Sequence, residues 1–298
     1  MFPIHRDYAV TRKEKKMLKS MINPDLSGKE KKVFSKTMIL VAILMVLTLS
    51  LWANNIAVGT VTLTEQITAG AQSTHYTNLQ FDISWENSWK VSTGPSNWDA
   101  AWVFAKWKLH SGTDWAHCTL SSTDSDHTAP TGSIIDAASD GKGIFIYRSG
   151  DDSGSNTWSD VKLRWNYGTD GVSDNATVDV KVFAIEMVYV PQASFYVGSG
   201  GTETSAFYNY PTTTNAYQIT NENAITVGTA NDNLYYPSST YGGDQNGPIP
   251  AAFPKGYNAF YCMKYEISQG QYVDFLNTLT STQDATRYMT EITYRHGT

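Results

Sequence analysis

The 298-residue chain is predicted to be mainly β, with an antiparallel β-sandwich over residues 56–186 followed by a partial α+β domain over 187–298. Three observations lead there. Apolar residues alternate with period two in several stretches of the first region, clusters of turn-forming residues separate those stretches, and aromatic usage changes along the chain. All nine Trp fall between Trp52 and Trp165, whereas 14 of the 18 Tyr fall from Tyr189 onward. That shift implies two regions with different cores. A hydrophobic content of 41% with only 17% charged residues argues against wholesale disorder.

In the first strand Leu79, Phe81, Ile83 and Trp85 alternate with Gln80, Asp82 and Ser84, the pattern of a half-buried strand. A second strand has Val103, Ala105, Trp107 and Leu109 on one face, against Phe104, Lys106 and Lys108. Further strands are expected at 143–148, 161–165 and 176–186, the last with Val178, Val180 and Val182 on one face. Turn signals lie between them at Thr93-Gly-Pro95, Ser149-Gly-Asp-Asp-Ser-Gly154 and Thr169-Asp-Gly171. Short alternating strands without a helical stretch point to a sandwich.

The formal charge of −6 averages two unlike parts. Residues 1–37 form a basic extension with ten Lys and Arg against four acids. The rest holds twelve basic and twenty-four acidic residues, a balance of −12. Nucleic acid is therefore excluded as a partner for the body of the chain. Residues 38–53 are apolar, follow Lys31, Lys32 and Lys36, and end at Ala53. This describes a signal peptide cleaved near Ala53, or a membrane anchor if uncleaved. About fifteen residues reach only about 22 Å as a helix, short of a hydrocarbon core of about 30 Å. Either reading makes the protein exported: secreted, periplasmic or on the cell surface.

Trp85, Trp89, Trp98 and Trp102 are candidates for a carbohydrate platform. Strand parity assigns Trp85 and Trp107 to the core, while Trp89 and Trp98 fall in loops and stay open. Asp124-Ser-Asp126-His127 has cation-ligand chemistry, but a Ser/Thr/Asp-rich loop is the commoner source of such a run. His110, His117 and Cys118 lack a fourth ligand at zinc spacing, and Asn175-Ala-Thr177 is a sequon by pattern only. Cys118 and Cys262 are read as two unpaired thiols. Ser199-Gly-Gly-Thr202 opens no helix, so it is not read as a phosphate loop. No catalytic, cofactor-binding or metal-binding residue is assigned.

The second region carries a resemblance. Ile185-Glu-Met-Val-Tyr-Val-Pro-Gln-Ala-Ser-Phe-Tyr-Val-Gly198-Ser199 is similar to the opening hairpin of the formylglycine-generating enzyme (sulfatase-modifying factor) family, with Val197 where the family usually has Met. Ala259-Phe-Tyr-Cys-Met-Lys-Tyr-Glu-Ile-Ser-Gln-Gly-Gln-Tyr-Val-Asp-Phe-Leu-Asn277 resembles that family's aromatic strand and following helix. Local physics agrees with the second match. Ser268 and Gln271 make a capping box, and Tyr272, Phe275, Leu276 and Leu279 fall at i, i+3, i+4 and i+7. A strand is thus expected over 260–267 and a helix packed by that stripe over 268–279. Residues 199–250 read as a polar insertion forming an irregular surface loop.

The resemblance implies the C-type-lectin-like fold of the sulfatase-modifying factors. For a complete domain it also implies copper and calcium, and a sulfatase as substrate. It covers about 110 residues, the N-terminal third of such a domain. The family's later blocks are not in the sequence, and neither Cys118 nor Cys262 matches its catalytic cysteine pair. The expectation is therefore the N-terminal fragment of an exported family member, itself non-catalytic. The alternatives are a non-enzymatic cell-surface or structural protein of that fold, binding a cell-envelope partner, or a carbohydrate binder working through the Trp-rich sandwich. Strands such as residues 260–265 are expected to lack partners, leaving the second region poorly stable.

Overall fold

The computed structural model describes residues 55–201, 206–236, 247–280 and 282–283. The basic extension 1–37, the apolar segment 38–53 and part of the insertion 199–250 lie outside the described residues. Among the described residues no helix is long and apolar enough to cross a membrane. The mainly β prediction holds. The strands are β1 (Ala57–Val58), β2 (Thr62–Ile67), β3 (Tyr76–Lys90), β4 (Trp98–Leu109), β5 (Ala116–His117), β6 (Ser133–Ala137) and β7 (Ile144–Arg148). They continue as β8 (Asp152–Trp165), β9 (Val178–Val190), β10 (Phe195–Val197), β11 (Tyr208–Asn209), β12 (Tyr217–Ile219), β13 (Leu234–Tyr235) and β14 (Phe260–Met263). The α-helix α1 (Gln269–Leu276) follows β14.

Two antiparallel layers sandwich the core. In one, β3 pairs with β8 on one edge and with β1 and β2 on the other. In the other the order is β6–β7–β4–β9–β14, with β5 beside β4. The layers join at a single register pair, Lys90↔Trp98, where the β3–β4 connection turns. Leu79, Phe81, Ile83 and Trp85 of β3 and Val161, Leu163 and Trp165 of β8 face Ala101, Val103 and Ala105 of β4 and Ile144 and Ile146 of β7. Each large side chain buried this way contributes about 1.5–3 kcal/mol. Period-two patterning is thus converted directly into a two-sided apolar interior.

Several elements differ from expectation. Trp89 and Trp98 lie in β3 and β4 rather than in loops, because pairing with β8 and β9 carries both strands past the alternating stretch. Trp107 is half-buried against the core, and Leu109 is 48% exposed where β4 outruns it. Position 186, where the sequence changes character, lies inside the continuous strand β9. The stretch 199–250 is more than an irregular loop. It supplies β11, β12 and β13, and Ile219, Ile225 and Leu234 form a small cluster with Phe195 and Tyr257.

The strand at residue 260 does not lack a partner. β14 pairs with β9 in the register Phe260↔Val190 to Met263↔Met187. The capping box is present: Ser268 Oγ accepts from Gln271 N at 3.2 Å and Gln271 Oε1 accepts from Ser268 N at 3.0 Å. The helix is shorter than predicted, and its stripe is only partly covered, with Tyr272 39% exposed.

Cys118 is buried in the sandwich core and Cys262 is exposed on β14, both unpaired. Burial pushes the Cys118 thiol well up. A native thiol titration should therefore find one rapidly reacting equivalent and a second only in denaturant. Two fast equivalents would contradict the packing around Cys118.

Candidate functional site

The densest group of buried ionisable side chains lies where β14 meets the sandwich. Strand parity builds it. Asp99 has the inward parity of Ala101, Val103 and Ala105, and Glu186 that of Val178, Val180 and Val182. Lys264, just past β14, donates its backbone N–H to Glu186 O at 2.9 Å and turns its side chain inward. Its Nζ lies 2.9 Å from Asp99 Oδ2 and 3.0 Å from Glu186 Oε2. The three side chains are 7%, 0% and 1% exposed.

Buried charges persist only when hydrogen bonds replace the lost water. Asp99 accepts from Trp85 Nε1 at 2.9 Å, Ser88 Oγ at 2.6 Å, Trp89 N at 3.0 Å and Lys264 Nζ. Lys264 also donates to Asn87 O at 2.8 Å. A register shift between Trp85 and Ser88 and a positive φ of 55° at Asn87 present that carbonyl. Such bulges commonly re-aim groups at sites. Ser88 Oγ in turn accepts from Arg148 Nε at 3.1 Å and Asn156 Nδ2 at 2.8 Å. Burial raises the Glu186 carboxyl, opposed by its bond to Lys264. For Lys264, bonds to both carboxylates outweigh burial and raise the ammonium. The Ser88 hydroxyl is buried and fully used within this network, so the arrangement ties strands together and presents no nucleophile.

On the opposite face of the same layer, rings fill the surface. Trp98 stacks on Tyr189 at 4.0 Å and on Tyr147 at 5.4 Å between centroids, and its Nε1 donates to Tyr261 OH at 3.1 Å. Tyr261 stacks on Phe145 at 3.8 Å, and burial pushes its hydroxyl strongly up. The faces of Trp98 are thus occupied by the protein's own rings. The Lys264 ammonium lies 5.3 Å from the Trp89 ring.

The other residues singled out in the sequence serve locally. Asp124 Oδ1 accepts from Ala137 N at 2.8 Å, and Asp126 Oδ2 accepts from Ser121 Oγ and pairs with Arg164 at 3.1 Å. His127 Nδ1 accepts from Arg164 N while Nε2 faces Ser121 O. Burial lowers its pKa. His110 pairs with Asp179 at 2.8 Å, away from His117. Asn175 is exposed. Among the described residues no group of three or more His, Cys, Asp or Glu is arranged to hold a metal ion. Sequence reasoning missed Lys264, Asp99 and Glu186 as a unit. The parity of Asp99 and Glu186 was the available signal.

A second polar cluster closes the far end. His75 Nδ1 lies 2.9 Å from Asp174 Oδ1 and Nε2 lies 3.3 Å from Gly70 O, so the doubly protonated ring satisfies both. Tyr167 OH donates to Asp174 at 2.9 Å and accepts from Gln66 Nε2 at 3.1 Å. The bond to Asp174 raises the His75 pKa and lowers that of Asp174. No known protein family, characterised protein or solved structure matches this chain.

Two outcomes follow from these clusters. Lys264→Met strands two buried carboxylates and should cost about 3–5 kcal/mol in chemical denaturation. A loss under about 1 kcal/mol would mean that the group is solvated. For His75 the folded pKa is raised, so its contribution is complete below the ordinary value of 6.5. That contribution disappears as pH rises through the raised pKa. Melting temperature should fall over that interval in the parent chain, and the step should be absent in His75→Gln.

Proposed function

We propose that this chain is the N-terminal portion of an exported protein of the formylglycine-generating enzyme family, and that it acts there as a non-catalytic scaffold. The observation that carries the reading is the adjacency of the two family-like blocks. They lie some seventy residues apart in sequence, yet Met187–Val190 and Phe260–Met263 are neighbouring antiparallel strands. The segment most like the family is thus an extension of a sandwich layer, locked to it by Lys264. The sandwich serves as a rigid mount for that segment in the cell envelope.

The cysteines support the non-catalytic part. One is enclosed in the sandwich core and the other exposed on β14, so the pair is not set to share a copper ion. The full chain, incubated with copper, oxygen and a cysteine-containing sulfatase peptide, should leave the peptide mass unchanged. Fractionation of expressing cells should find the protein outside the cytoplasm. Formylglycine in the peptide, or a wholly cytoplasmic protein, would overturn the proposal.

A further inference from the structure

We infer that the groove between the outer face of β4, strand β5 and helix α1 binds an acidic sugar, a pyranose ring carrying a carboxylate or a sulfate ester. The groove encloses about 470 Å³ and is lined by Trp102, Trp115, His117, Phe275, Lys106 and Lys142. That volume is within the range of small-molecule sites.

The charge pattern is the first argument. Beyond residue 37 the chain has twice as many acids as bases, yet here the bases collect without them. Lys106 and Lys181 are directly opposed in the β4–β9 register, an arrangement that like charges normally destabilise. Lys106 is 7% exposed, and the acceptor it reaches is the neutral carbonyl of Thr278. Among the described residues neither Lys106, Lys142 nor Lys181 pairs with a carboxylate. Asp274 lines a cavity together with Lys181, whereas two other acids are already engaged. Asp179 holds Lys108 at 2.6 Å and His110 at 2.8 Å. Asp170 accepts from Thr119 and from Trp165 Nε1 at 2.7 Å. His117 is held low chiefly by burial, opposed by its bond to the Cys118 carbonyl, with Lys142 and Lys106 lowering it further and Asp170 opposing. The Lys106 ammonium, buried without a counter-charge, is costly, and an anion in the groove would supply one.

The rings select the rest of the ligand. Trp102 and Trp115 line the groove, Trp102 resting on Phe145 at 4.7 Å between centroids, and indoles suit the C–H faces of a sugar. The Lys181 and Lys108 ammonium groups lie 5.4 Å and 5.6 Å from the Trp115 ring, so a charged substituent is served beside that ring. Gly143 gives Trp102 its place, since a Cβ there would lie 2.4 Å from the indole. The inference goes beyond the scaffold reading and stands or falls separately from it.

The test is titration of the full chain with sodium glucuronate, glucose 6-sulfate, glucose, sodium sulfate and a polyglutamate peptide, read by tryptophan fluorescence and calorimetry. Saturable binding of at least one acidic sugar is expected, with glucose and sulfate each weaker by about tenfold or more. Lys142→Gln/Lys181→Gln changes only exposed side chains, and it should weaken that binding by about tenfold while leaving the melting temperature in place. Failure of both acidic sugars to saturate would overturn the inference. So would equal binding of glucose or sulfate, a preference for polyglutamate, or an unchanged double variant.

Discussion

A single ammonium, Lys264 Nζ, faces two carboxylates inside the sandwich, and much of the architecture is arranged so that these charges tolerate burial. Asp99 and Glu186 sit on neighbouring strands of one layer, and Lys264 closes the group from a third. Removing each ion from water costs several kcal/mol, so attraction alone does not account for the group. Four donors on Asp99, the Asn87 carbonyl on Lys264 and the bulge that aims it offset part of that cost, while Glu186 Oε1 is buried without a hydrogen-bond partner among the described residues. What such a network provides best is uniqueness of register. A slip of β14 by one residue would carry Lys264 to the outer face and leave two carboxylates buried without a cation.

The same strand is held from its other side. Tyr261 points away from the core into the stack of Trp98, Tyr189 and Phe145, with its hydroxyl accepting from the Trp98 indole. β14 is only four residues long, too short to be stable by ladder hydrogen bonds alone. Charge on one face and aromatic stacking on the other give it two independent anchors. This explains how a Tyr-rich segment joins a Trp-rich sandwich as one more strand of its sheet. It also leaves the outer face near Lys106 and Trp102 with different character, aromatic and basic in an acidic protein.

Legibility from sequence follows the range of the interactions. The alternation from Leu79 to Trp85 and the Ser268–Gln271 capping box are local, and both appear in the structure. The inward parity of Asp99 and Glu186 was readable. Their partner was not, because Lys264 is 165 residues from Asp99 and 78 from Glu186. Trp89 and Trp98 looked like loop residues beside the turn at Gly94, since the pairing that extends β3 and β4 comes from β8 and β9. Ile219, Ile225 and Leu234 cluster without any period, so nothing in their spacing distinguished the stretch 199–250 from an irregular loop.

By itself the sequence determined the class of fold and the inward faces of the main strands. It also determined the start of the helix and the separation of a basic N-terminal stretch from an acidic body. These depend on period two, on side-chain caps within four residues and on counting charges, all of which are local or additive. Tertiary structure alone decided that the second region extends the sandwich sheet, that three distant charges share one buried position, and that the buried Lys106 reaches a backbone carbonyl. Those outcomes depend on which strands become neighbours, and that choice is settled by the summed burial and pairing of the whole sandwich.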